Sequence, residues 1–99
     1  FYMLRAGNFV APLTGTKTFS PDRTVSLQTL TATIEQSVSA AVIFSINKNG
    51  SELQQFTIPT GQNTVTANFT TNSILTTDIL TLDVDSGSGE NLTVKVDYV

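Results

Sequence analysis

The chain has 99 residues, which suffice for one domain with its own core but not for two. His and Cys are both absent, so disulfides, thiolate or imidazole metal ligands and histidine-activated nucleophiles are excluded. The five Lys and Arg residues are scattered through a chain of net charge −3, and no apolar run is long enough to span a bilayer. We therefore expect neither nucleic-acid binding nor membrane insertion.

The composition and the hydrophobic pattern are typical of an all-β protein. The chain contains seventeen Thr residues, whose branched side chains favour strands and tolerate water on an exposed face. Apolar residues recur at every second position in several segments, whereas no segment shows the spacing of an amphipathic helix. We expect an antiparallel β-sandwich, jelly-roll-like, with about eight strands and essentially no helix.

The N-terminal residues fit this pattern less well. Phe1, Tyr2 and Leu4 belong to an apolar opening that lacks clean alternation. Two short segments that follow are weak candidates for strands: residues 8–13 and 16–19. We expect residues 1–18 to form an N-terminal arm or extension, and residues 19–99 to form the sandwich domain. The apolar side chains of the arm would either cover the base of the domain's own core or form an interface with a neighbouring subunit.

Residues 25–36 predict a strand with an irregularity. Val25 and Leu27 fall on one side of the alternating pattern, whereas Leu30 and Ile34 fall on the other side. A change of phase within one strand requires an extra residue or a bend. We therefore expect a β-bulge or a kink between Leu27 and Leu30.

Residues 41–46 predict a central strand. Val42, Phe44 and Ile46 share one face, and Ile43 lies on the opposite face. A strand with apolar residues on both faces needs cover on both faces. Ile43 is therefore predicted to pack within the domain or to contact a neighbouring subunit.

The pair Asn49-Gly50 predicts a β-hairpin after this strand. Asn and Gly tolerate the positive φ angles that a type I′ turn requires at its two central residues. The second strand of the hairpin is expected over residues 52–58. It should end at Pro59, which cannot donate a ladder hydrogen bond.

Three further strands are predicted over residues 63–69, 79–84 and 91–98. The residues expected to face the core are Val65, Ala67, Phe69, Leu80, Leu82, Val84, Leu92, Val94, Val96 and Tyr98. Ile79 lies outside the inward row of its strand. It is therefore, with Ile43, a candidate for a contact between subunits.

Three carboxylates near the C-terminus could carry chemistry: Asp83, Asp85 and Glu90. They lie along a segment rich in Gly and Ser, and clustered oxygen ligands suit a hard cation such as calcium. The spacing is not that of an EF-hand, and a solvated hairpin loop explains the same residues. Asp83 and Asp85 also form the one close acidic pair that a small glycosidase could use, but both are predicted to face outward. We expect no catalytic residues and no cofactor, with calcium as the alternative at these three positions.

Several runs of the sequence together resemble a β-sandwich module of tailed-phage virion proteins. These runs are VIFSINKNG at residues 42–50, FTIPTG at 56–61, DILTLDV at 78–84, GSG at 87–89 and LTVKV at 92–96. Modules of this kind occur in tail fibres, receptor-binding proteins and capsid or neck decorations. The resemblance covers about residues 25–98 and depends on strand alternation and turn residues.

The resemblance implies a non-catalytic structural or adhesion domain on the surface of a virion. It implies a homo-oligomer, frequently a trimer, with other virion proteins and a host-surface glycan as candidate partners. The alternative function, from another class, is a carbohydrate-binding module of a larger extracellular protein. The sequence does not distinguish capsid decoration from a tail fibre.

Overall fold

Two antiparallel sheets packed face to face make up the computed structural model, which describes residues 1–15, 18–36, 39–70 and 73–99. The strands of sheet 1 are β1 (Tyr2–Val10), β3 (Val25–Thr33), β6 (Thr64–Asn68), β7 (Ser73–Ile74) and β9 (Ser88–Tyr98). The strands of sheet 2 are β2 (Thr18–Phe19), β4 (Val42–Lys48), β5 (Ser51–Ile58) and β8 (Leu80–Ser86). The described residues form no helix, so the predicted antiparallel β-sandwich is confirmed.

The order of the strands places β1 and β6 at the edges of sheet 1 and β2 and β5 at the edges of sheet 2. Sheet 1 has the order β1-β9-β3-β6, with β7 also paired to β3, and sheet 2 has the order β2-β8-β4-β5. The strand β2 begins inside the weak strand expected at residues 16–19. Residues 16 and 17 of that expected strand lie outside the described residues.

An apolar layer between the two sheets forms the core. Inward residues alternate with outward residues along each strand, because each sheet has one face on the shared core. Of the ten residues predicted to face this core in the last third of the chain, seven are buried. Val65 and Ala67 are half-buried, and Tyr98, at the end of its strand, is 38% exposed.

The N-terminal segment belongs to the sandwich itself and does not form an arm outside it. β1 pairs with β9 along its length, and its Met3 and Phe9 are buried in the core. The pairing shifts register between Arg5 and Asn8, where Gly7 has a φ of 77°. Because Gly7 and its neighbours on either side are exposed, the alternation that would reveal β1 is interrupted in the sequence.

After β1 the chain crosses from sheet 1 to sheet 2. The Ala11 N–H donates to the Gly87 carbonyl over 2.9 Å, and Leu13 exchanges two backbone hydrogen bonds with Val84. The neighbouring strands β8 and β9 make the reverse crossing at Gly87. One paired ribbon therefore passes from one sheet to the other along this side of the sandwich.

Two predicted backbone features are confirmed. The pairing of β3 with β9 shifts register between Leu27 and Thr29, which is the expected bulge. Asn49 and Gly50 have φ angles of 53° and 85°, as the type I′ hairpin between β4 and β5 requires. The second strand of that hairpin ends at Ile58, directly before the proline.

The side of the sandwich opposite the crossing ribbon is closed by one amide side chain. Gln54 of β5 donates from Nε2 to the Asn68 carbonyl of β6 over 2.9 Å. Its Oε1 accepts from the Thr70 N–H over 2.9 Å and from the Thr70 hydroxyl over 3.2 Å. These three bonds, which we name the Gln54 clasp, join an edge of sheet 2 to an edge of sheet 1.

The close packing at Gly87 predicts that a larger residue there lowers the free energy of unfolding. Gly87 has a φ of 92°, and a Cβ there would lie 2.7 Å from the Ala41 carbonyl oxygen. Gly61 has a φ of 82°, but a Cβ there would meet no atom within 4 Å. We expect Gly61→Ala to cost about 1 kcal/mol for the left-handed backbone alone. Gly87→Ala should cost about 3 kcal/mol, since the clash adds to the same backbone cost. Urea unfolding of both variants measures the difference, and equal losses would contradict the role given to the crossing.

Candidate functional site

The two acidic residues singled out in the sequence lie on the outer face of sheet 2, where neutral polar groups bind both of them. The Ser45 hydroxyl donates to Asp85 Oδ2 over 2.8 Å, and Asn47 Nδ2 donates to Asp83 Oδ2 over 2.5 Å. Asp83 Oδ1 also accepts from the Gly15 N–H over 2.6 Å. Ser45 and Asn47 are themselves buried. These bonds tie β8 to β4 on one side and to the crossing segment on the other.

The third predicted carboxylate lies elsewhere. Glu90 is on β9 in sheet 1, beside an open depression of about 440 Å³ that Asn8, Gln36 and Ser88 also border. Within the described ranges, no three carboxylates come together in a group that could hold a metal ion. The structure therefore does not bring Asp83, Asp85 and Glu90 to one calcium site.

A further acidic residue, Asp78, fixes the β4–β5 hairpin against the loop before β8. Its Oδ1 accepts from Asn49 Nδ2 over 2.7 Å, and its Oδ2 accepts from the Leu75 N–H over 2.8 Å. The Leu75 N–H, the Asn49 amide and the charge of Lys48 hold the pKa of Asp78 below the ordinary value of 3.8, although desolvation opposes them. Asn49 Oδ1 also accepts from the Ile79 N–H over 2.9 Å.

The outer face of sheet 1 carries an ordered array of polar side chains across β9, β3 and β6. The strand pairing aligns three rows across these strands: Thr93, Thr33 and Thr64; Lys95, Thr31 and Thr66; Asp97, Thr29 and Asn68. The hydroxyls of Thr31 and Thr66 lie 3.3 Å apart, and Thr29 Oγ1 lies 3.4 Å from Asn68 Oδ1. We name this surface the threonine face.

The residues predicted for a subunit interface fall in four places. Tyr2 and Leu4 of β1 continue two rows of the threonine face, opposite Lys95 and Thr93, and are 68% and 47% exposed. Ile79 is 49% exposed beside the hairpin, and Ile43 is half-buried on the outer face of sheet 2. Phe1 is half-buried and stacks on Phe19, so it joins β1 to β2 within the domain.

An aromatic corner lies where β1, β2 and the end of β9 meet. The rings of Phe1 and Phe19 stack at a centroid distance of 3.7 Å, and Tyr98 lies 5.8 Å from Phe1. Arg23 lies over the Tyr98 ring, with Cζ 6.0 Å from its centroid. Tyr98, Phe19 and Asp22 border a cleft of about 270 Å³.

Comparison with protein-family models, with curated proteins and with solved structures finds no match for this chain. No helix that is long and apolar enough to cross a membrane occurs among the residues described. The resemblance to phage virion modules therefore stays a prediction.

The hydrogen-bond partners of the acidic residues are not predictable from the local sequence. Ser45 and Asn47 stand on one face of β4, and Asp83 and Asp85 stand on one face of β8, so each pair shows in the alternation. The two pairs meet because β4 pairs with β8, and the alternation within each strand does not reveal which strands pair. The contact of Asn49 with Asp78 was missed for the same reason.

The bonds of Asp78 predict a dependence of stability on pH. Because its pKa is lower in the folded chain than the ordinary value, the ionised carboxylate stabilises the fold at neutral pH. That contribution is lost as the pH falls below 3.8 and through the lower folded pKa. We expect Asp78→Asn to lower the Tm at pH 7, with a difference from wild type that shrinks in acid. Asp22→Asn is the control, since no hydrogen bond to the Asp22 side chain occurs within the described residues. A loss that stays constant with pH would contradict this origin.

Proposed function

We propose that this domain is a non-catalytic structural or adhesion module of a virion, of the kind that decorates capsids or forms tail fibres and receptor-binding proteins. In this role it acts through contacts of its outer surfaces and associates with further copies of itself. The resemblance in the sequence is the source of the virion assignment. The association with other chains has independent support in the surface of sheet 1.

The observation that carries this proposal is the exposed apolar pair Tyr2 and Leu4 on the edge strand β1. Their side chains stand beside the threonine face on the same surface of sheet 1. Aromatic and aliphatic side chains exposed next to a neutral polar surface are typical of surfaces that become buried in an assembly. The mainly neutral face offers hydroxyls to a partner at a small desolvation cost compared with a charged surface.

The arrangement of the acidic residues is a second support. Asp78, Asp83 and Asp85 all accept hydrogen bonds from groups of their own domain. A general acid or base has to reach a proton of the substrate, whereas these carboxylates link one strand or loop to another. Their geometry therefore favours a scaffold over a hydrolase.

Two measurements on the purified domain test this function. Light scattering across micromolar to millimolar concentrations should show self-association, and the labelled domain should sediment with intact bacterial cells or with tailed-phage particles. The heat-unfolded domain is the control for nonspecific adhesion. A trimer would agree with the number of subunits that the resemblance implies. A strict monomer that binds neither cells nor particles would contradict the proposal.

The aromatic corner favours a second candidate function, a carbohydrate-binding module of a larger extracellular protein. Tyr98 is 38% exposed and borders, together with Asp22, a cleft of about 270 Å³. This volume is slightly below that of sites for drug-sized ligands, so the cleft suits a single sugar ring. The ring would supply an apolar surface, and Asp22 and Ser20 would supply polar groups around it.

A glycan array followed by calorimetry tests this second function. If the cleft binds sugar, we expect Tyr98→Ala to weaken binding at least about tenfold, because the loss of one stacked ring is of that order. Tyr2→Ala is the matched control, since Tyr2 is the other exposed tyrosine and lies on a different surface. An array without hits, or equal effects of the two substitutions, would contradict a sugar site in the cleft.

A further inference from the structure

The outer edge of β1 presents backbone groups that no described strand binds. Phe1 exchanges two backbone hydrogen bonds with Val96 of β9, each 2.7 Å long. In an antiparallel ladder the bonding direction alternates along the strand, so the N–H and C=O groups of Tyr2 and Leu4 point away from β9. Sheet 1 ends at β1, and these groups therefore face outward from the edge.

The other sheet edges carry protection that residues 2–4 of β1 lack. β2 and β7 have two residues each, which is too short to guide another strand. On β6, the Gln54 clasp occupies the Asn68 carbonyl. β5 carries Glu52 and ends before Pro59, and both charge and proline discourage edge pairing. On β1, Arg5 and the bulge that follows it protect the middle of the strand, and the unprotected part of this edge is the uncharged stretch from Tyr2 to Leu4.

We infer that β1 pairs with β1 of a second copy of this chain, in antiparallel orientation, around a twofold axis at Met3. Tyr2 of each copy then stands opposite Leu4 of the other copy. Both residues have outward N–H and C=O groups, so each Tyr2–Leu4 pair exchanges two backbone hydrogen bonds. The two sheets 1 become one continuous sheet across the axis. This inference rests on the proposed function, and it names a second copy of the chain as the partner that covers Tyr2 and Leu4.

The side chains agree with this register. Tyr2 and Leu4 lie on the same face of sheet 1, so the pairing brings two tyrosines and two leucines into one apolar group. No side chain from Tyr2 to Leu4 is ionised, so the bonded pairs beside the axis oppose no like charges, and the charged Arg5 falls outside them, opposite Phe1 of the other copy. The same pairing thus satisfies the exposed backbone groups and covers the exposed apolar pair.

The interface is small, and its size sets the conditions of the test. A few residues of strand on each side bury less surface than a standard interface, so we expect a weak dimer that forms as concentration rises. In an assembly that holds many copies, a weak pairing of this kind is strengthened by the high local concentration.

Sedimentation of wild type and Leu4→Pro over a range of concentrations tests the pairing. The Leu4 N–H points away from β9, so proline removes no ladder bond within the domain but removes one at each half of the dimer. We expect the dissociation constant of Leu4→Pro to rise at least about tenfold, with an almost unchanged Tm. Ile79→Lys and Leu4→Lys form the matched pair, since Ile79 and Leu4 are 49% and 47% exposed. Only Leu4→Lys should weaken the dimer.

Hydrogen exchange provides a readout that needs no substitution. The amides of Tyr2 and Leu4 should become protected as concentration rises, whereas the Met3 amide, already bonded to β9, should change little. Concentration-independent exchange, equal association of wild type and Leu4→Pro, or a trimeric mass would each overturn the twofold pairing. Association that persists in Leu4→Pro leaves the proposed function standing. If the β1 dimer forms but binds neither cells nor phage particles, this inference is supported and the proposed function is contradicted.

Discussion

The crossing of the paired ribbon at Gly87 is the constraint on which the rest of the sandwich depends. Both β1 and its neighbour β9 leave sheet 1 there and continue into sheet 2, so backbone joins the two sheets along this side. The backbone of Ala41 and Val42 occupies the space beside Gly87, so a side chain would separate the layers. The crossing also sets β1 and β2 as adjacent edges of opposite sheets, which is why Phe1 and Phe19 can stack.

The two outer faces differ in how they use their polar groups. On sheet 2, Ser45 and Asn47 are buried by their neighbours and bind the acidic residues of β8. On sheet 1, the residues of the threonine face are all exposed or half-buried, although hydrogen bonds join several of them to one another. The ion pair of Lys95 with Asp97 on that face is 3.7 Å long between exposed side chains and contributes little to stability. The polar groups of Ser45 and Asn47 on sheet 2 are thus buried, whereas the polar side chains on sheet 1 remain accessible to a partner.

Strands with undisturbed alternation can be predicted from the sequence. A strand with apolar residues on its outer face, and contacts between distant parts of the chain, cannot. β8, β9 and the Asn49-Gly50 hairpin are recognisable because one face is apolar, the other is polar and the turn residues have special φ preferences. β1 was missed because Tyr2 and Leu4 are apolar on the outer face, and because the exposed residues from Ala6 to Asn8 interrupt its alternation. The partners of Asp83 and Asp85 lie 36 and 40 residues away along the chain, so only the tertiary fold brings them together.

The Gln54 clasp closes the remaining side of the sandwich with a group that carries no charge. Its amide neither gains nor loses a proton as the solution is acidified, and added salt does not screen its hydrogen bonds as it screens an ion pair. The hairpin end of the domain, in contrast, depends on an ionised carboxylate. Acid therefore acts on this fold unevenly: it loosens the attachment of one loop while the seam between β5 and β6 keeps its strength.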